Sequence, residues 1–278
     1  MNEYKSMSLK NLWRRVIGGL AALLLCAAPW AGAQAGQNCE TKPLTAAVLE
    51  RAMTLAERTR AALDASGAEV VVLARAGQDL SRYGLRYSHL GFAYRQPDGE
   101  GGQVWRVMHK LNQCGTAESA IYRQGLGNFF LDDLWRYEAA WVVPTPEVQR
   151  KLMAVLKDEP KAIALHHKPY SIVSYAWGQK YQQSNQWAIE TLAVAMEPSV
   201  YSRERAQAWL KFKGYQPTVL RLGALERLGG RIGSANVAFD DHPNEKRFND
   251  RIETVSVESV FFWLQRAQLA GEMELLRQ

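Results

Sequence analysis

Three β-rich runs stand close together in the first half of the chain, and they limit what the remainder can pack into. Glu69-Val70-Val71-Val72-Leu73-Ala74 is short, dominated by β-branched residues and ended by Gly77. Tyr87 to Tyr94 is the second run and Val104 to Leu111 (VWRVMHKL) the third. The glycines from Gly99 to Gly102 lie between them, a spacing that predicts an antiparallel hairpin. Ala139 to Val143, stopped by Pro144, is a fourth strand candidate, whereas Cys114 to Gly127 reads as helical or irregular. Beyond Pro146 the apolar period lengthens. Glu147 to Lys157, Ser184 to Met196 and Ser202 to Lys213 read as helices, the last two opening on serines suited to N-caps. Hairpin strands followed by helices predict an α+β chain, a small antiparallel sheet packed by helices.

The two ends are read as helical additions. Pro43 to Ser66 repeats Leu44, Val48, Leu49, Ala52, Met53, Ala56 and Leu63 at helical spacing, and Gly67 closes the run. The last ~60 residues are less regular. Gly223, Gly229, Gly230 and Gly233 precede a polar loop, then an apolar run from Val255 to Leu264 with a helix-like continuation to the end. The expected organisation is 1–33 as a signal peptide, 34–68 as an N-terminal helical segment, 69–197 as the α+β core and 198–278 as a C-terminal extension.

The signal reading rests on three parts. Lys5, Lys10, Arg14 and Arg15 form a basic start, and Val16 to Ala28 is apolar. Ala31-Gly32-Ala33 or Ala33-Gln34-Ala35 offers a cleavage site. The apolar stretch is shorter than the ~20 residues a spanning helix needs, which argues against a retained anchor. The expected location is therefore periplasmic or secreted, with no transmembrane segment after cleavage. The formal charge of +6 includes four positive charges and one negative (Glu3) in the first 33 residues, so the mature chain is near +3, a mild surplus. No arginine-rich run is present, and nucleic acid is not an expected partner. Cys39 and Cys114 survive processing, and in an oxidising compartment an even pair favours a disulfide. Free buried thiols are the competing reading.

Of the five histidines, His89 and His109 fall in neighbouring predicted strands, about twenty residues apart across the hairpin. An imidazole oriented by a second polar group is the usual general base, and it needs a nucleophile nearby, commonly at a helix N-terminus. Ser184, heading Ser184-Asn185-Gln186-Trp187, has that position. Ser184 also fits a purely structural N-cap.

Glu69 to Ala74, then Tyr87-Ser88-His89-Leu90-Gly91-Phe92, then Trp105-Arg106-Val107-Met108-His109 resemble the circularly permuted papain-like hydrolases related to NlpC-type cell-wall peptidases. The resemblance covers about residues 69–196. It implies His89 as base, His109 as its orienting partner, and Ser184, or Asn185 one position on, where that family places its cysteine. Asn185, Gln186 and Tyr181 would then border a substrate, and the implied chemistry is hydrolysis or transfer at an amide or ester bond of the cell envelope. A serine in place of cysteine also leaves open a non-catalytic binding or assembly role. The whole sequence is similar to an exported bacterial group, domain of unknown function 2145.

Other pairings carry less. His166-His167 would point to opposite faces of a strand, Asp132-Asp133 fixes no carboxylate separation, and Asp240-Asp241-His242 reads as a solvated turn. No phosphate-cradling glycine loop is present, and no cofactor or metal is expected.

Overall fold

The computed structural model describes residues 44–278, which lie within one compact unit, Gln34–Gln278. Thr45 opens helix α1 (Ala46–Ala65) by accepting the Val48 amide, and Leu55, Ala56 and Leu63 turn inward. Strand β1 (Val70–Ala76) is buried along its whole length, as a central strand covered on both faces must be. β2 (His89–Pro97) and β3 (Gln103–Asn112) form the predicted hairpin, with Phe92 opposite Met108 and Pro97 opposite Gln103.

Two differences from the sequence reading follow. The segment read as helical or irregular holds strand β4 (Ser119–Gly125), which pairs along β3 from Asn112 to Arg106. Only then does a short helix α2 (Leu126–Phe130) begin. β5 (Arg136–Pro144) pairs with β1, and the chain's final strand, β8 (Ala270–Arg277), pairs with β5. The C-terminus is therefore a strand of the main sheet, not a continued helix. The sheet has six antiparallel strands in the order β4-β3-β2-β1-β5-β8.

Alternation along β1 divides the core. Val71 and Leu73 join Ala93, Val107 and Trp141 under α1 and α2. Val70, Val72 and Ala74 join Leu90, Phe92 and Met108 on the other face. That second face is covered by α3 (Pro146–Leu156), α5 (Ser184–Met196) and α9 (Val257–Arg266), through Leu152, Trp187, Leu192 and Trp263. Between them come α4 (Glu159–Ile163), a long irregular connection over 164–183, and α6 (Arg203–Phe212). Strands β6 (Thr218–Arg221) and β7 (Arg251–Thr254) form a separate ribbon flanking α7 (Ala224–Gly233) and α8 (Asn244–Arg247). Leu210, Tyr215, Val257 and Trp263 share the core of the α5 face, so residues 198–278 help fill the interior beneath the sheet. Among the described residues no helix is long and apolar enough to cross a membrane.

Candidate functional site

His89 starts β2 and His109 lies near the end of β3, both on the face that α2 covers. His89 is nearly buried and His109 wholly so. Gly91 allows this pairing. A Cβ there would stand 2.8 Å from His109 Cβ and 2.9 Å from the Met108 carbonyl oxygen, so no larger residue fits without displacing backbone.

The two rings meet edge to face, with His89 Nε2 2.8 Å from His109 Nδ1. His109 Nε2 lies 3.0 Å from Gln124 Oε1 on β4. A carbonyl oxygen only accepts, so this contact assigns the His109 proton to Nε2 and leaves its Nδ1 to accept from His89 Nε2–H. The remaining lone pair is on His89 Nδ1. Among the described residues no group hydrogen-bonds that nitrogen, and it is not sealed from solvent. Phe129 walls the pair, its ring 5.9 Å from His89 and 5.3 Å from His109. Arg75 lies over Phe129 and is held by the Phe129 carbonyl and Asp132. Burial holds the His89 pKa well below the ordinary imidazole range, with Arg75 and His109 adding to the effect. Burial also pushes His109 down to about 3, helped by Arg75 and opposed by Gln124. Both rings are neutral at neutral pH.

Ser184 belongs to the opposite layer, because α5 packs on the other face of the sheet. Its N-terminus nevertheless reaches the end of the sheet where β2 begins. The Leu90 amide donates to Asn185 Oδ1 at 3.0 Å. Gln183, not Ser184, caps α5, accepting the Asn185 amide at 2.9 Å. Ser184 is the first helical residue, and among the described residues its Oγ has one partner, Tyr170 OH at 3.4 Å. That separation is long for two hydroxyls. Burial raises the Tyr170 pKa, and the Ser184 contact opposes that rise. The structure thus brings His89 and His109 together and leaves Ser184 hydrogen-bonded to neither.

Asn185 and Gln186, expected to border a substrate, make hydrogen bonds within the fold. Asn185 spans Leu90 N–H and the Val255 carbonyl, 3.1 Å from its Nδ2. Gln186 accepts from Ser174 at 2.9 Å and donates to the carbonyls of Tyr175 and Ala176. Both side chains are buried and fully engaged in tying α5 to neighbouring segments. Tyr181 is half-buried at the surface, with Lys180 Nζ 5.3 Å from its ring centre.

Sequence reasoning missed a buried polar cluster on the α5 face. Lys110 follows His109 and so points the other way, where it is wholly buried and donates to His167 O and Gln182 Oε1, both at 2.7 Å. Burial pushes its pKa down to about 6, with Arg203 lowering it further and Glu190 opposing. Glu190 accepts from Arg203 Nε at 2.8 Å, Gln182 Nε2 at 2.5 Å and Gln207 Nε2 at 2.8 Å. A lysine between His109 and Leu111 in a predicted strand was the available signal. Gln124 had none, because its strand went unread. Among the described residues no three His, Cys, Asp or Glu side chains converge as metal ligands. Cys114 lies in the turn between β3 and β4, and Cys39 is outside the described residues.

Comparison with curated proteins and with solved structures returns no match. A family model described as an uncharacterized protein conserved in bacteria (DUF2145) matches residues 62–264, and the chain belongs to that family.

Proposed function

We propose that this is an exported envelope protein in which His89 is the base of a papain-like hydrolase or acyl-transfer site acting on an amide or ester bond. The observation carrying this reading is the His89–His109–Gln124 chain. It fixes the tautomer of both rings and leaves the His89 Nδ1 lone pair open. A structural histidine pair has no need of an open nitrogen.

In this reading the start of α5 shifts at the strand end where Asn185 meets Leu90, carrying Ser184 Oγ from the opposite layer to His89 Nδ1, which takes its proton as the oxygen attacks the carbonyl. The proton then passes to the leaving amine or alcohol, and water releases the acyl group by the same route. A neutral histidine orienter and nearby Arg75 both disfavour the imidazolium, so the base is weak and turnover slow.

A second reading is favoured by one observation, the Ser184 hydroxyl resting on Tyr170 and not on His89. On that reading the scaffold binds an envelope component without chemistry.

Labelling with a serine-directed fluorophosphonate separates the two. Labelling of the wild type that disappears in both Ser184→Ala and His89→Ala supports hydrolysis. No labelling of the wild type, with Ser184→Cys equally unreactive toward iodoacetamide, sinks the catalytic reading and leaves the binding protein.

A further inference from the structure

The stretch from Tyr201, just before α6, to the end of α9 puts aromatic rings and cations on one surface that the sequence keeps apart. Tyr201, Phe212 and Phe262 are 71%, 82% and 63% exposed, among the most exposed apolar side chains described. Each carries a cation. Arg205 lies 4.3 Å from the Tyr201 ring centre, Lys213 5.5 Å from that of Phe212, and Arg266 5.4 Å from that of Phe262.

These pairs form one surface. Arg205, Trp209 and Phe212 recur at four and three residues along α6, on one stripe of the helix. The Arg266 guanidinium donates to the Gly214 carbonyl, which joins α9 to the end of α6. Trp209 and Trp263 pack ring to ring at 6.2 Å beneath the junction. Among the described residues none of Arg205, Lys213 and Arg266 has a carboxylate within ion-pair distance. Glu197 feels the charge of Lys213 without pairing with it.

We infer that this surface docks the protein on an anionic lipid bilayer. The charge selects the occupant's sign, since three unneutralised cations together favour a negative surface. The phenylalanines select its nature. Phe212 and Phe262 are exposed and have no polar atom to offer. A soluble polyanion would satisfy the cations and leave both rings in water, while a bilayer accepts rings at the headgroup boundary and positive charge just above it. The contact is peripheral, and it is independent of the chemistry proposed at His89.

Flotation of the Gln34–Gln278 unit, which holds every described element and the whole core, tests this. The unit should rise with vesicles of equal parts phosphatidylglycerol and phosphatidylcholine, should stay behind with phosphatidylcholine alone, and should be released by about 0.5 M salt. Phe212→Ser/Phe262→Ser and Arg205→Glu/Lys213→Glu should each weaken binding more than about tenfold, with melting temperatures near wild type. Because all the substituted side chains are exposed, loss of fold is not expected, and the melting curve checks it. Absence of flotation overturns the inference, as does wild-type binding by both variants. Loss in the charge variant with full binding by the phenylalanine variant also overturns it, because that pattern belongs to a polyanion site.

Discussion

Two neutral imidazoles in contact under a phenylalanine make an acid-sensitive element. An unfolded histidine titrates near 6.5, and burial depresses both of these in the folded chain. The unfolded state therefore binds more protons below about 6.5, so their contribution to stability is complete above that pH and is lost as pH falls toward 3. Each histidine adds a slope of about 1.4 kcal/mol per pH unit within this window. Denaturant unfolding between pH 4 and 6 should show a His109→Gln variant with a shallower dependence than wild type by about that amount. An unchanged slope would mean that His109 is already protonated when folded. At this scale the sequence was legible where a residue type is rare. Two histidines on adjacent strands drew notice, and they do meet. Gln124, which sets their tautomers, is an ordinary polar residue until its strand is placed beside β3.

Helix α5 is held by polar ties that its apolar spacing does not reveal. Gln182, Gln183, Asn185 and Gln186 are all buried, and each is hydrogen-bonded to a neighbouring segment or to the helix start. Glu190 is the centre of the deepest tie, joining α5 to Arg203 at the start of α6. Removing one partner leaves the other charge buried and unpaired. Glu190→Leu should cost about 3–5 kcal/mol by chemical denaturation, and adding Arg203→Met should recover much of that loss. Additive losses in the double variant would show that the two side chains do not act as a pair. The elements that sequence located well, α1, β1, the β2–β3 hairpin, β5, α3 and α5, have strong periodic or β-branched patterns and defined stops. β4 was missed because Ser119, Arg123 and Gln124 leave little apolar alternation in an edge strand with one neighbour. β8 was read as helix because Glu272, Met273, Glu274 and Leu275 favour helices. After Gln268, at φ 57°, reverses the chain, pairing with β5 overrides that preference.

For the whole molecule, the expectation that depends on compartment is the Cys39–Cys114 bridge. It would tie the start of the mature chain to the β3–β4 turn and close a loop of about 75 residues, worth roughly 4 kcal/mol in the chain-entropy model. If the chain is exported as proposed, thiol titration of the mature protein, denatured without reductant, should find no reactive cysteine, and reduction should lower the melting temperature. Two titratable thiols per chain would rule the bridge out. The sequence offered this pairing by compartment and parity alone, because cysteine separation depends on tertiary placement.

The strand order has a further consequence for how the protein matures. A chain that emerges N-terminus first completes the β4-β3-β2-β1-β5 part of the sheet early, but β5 receives its outer neighbour only when Ala270–Arg277 arrives. Until then β5 presents an open rim, with Trp141 and Val142 buried beside it in the finished fold. Such a rim is a template for pairing with another chain. The C-terminal strand thus acts as a closing seam. A premature stop before Ala270 would leave β5 without that neighbour.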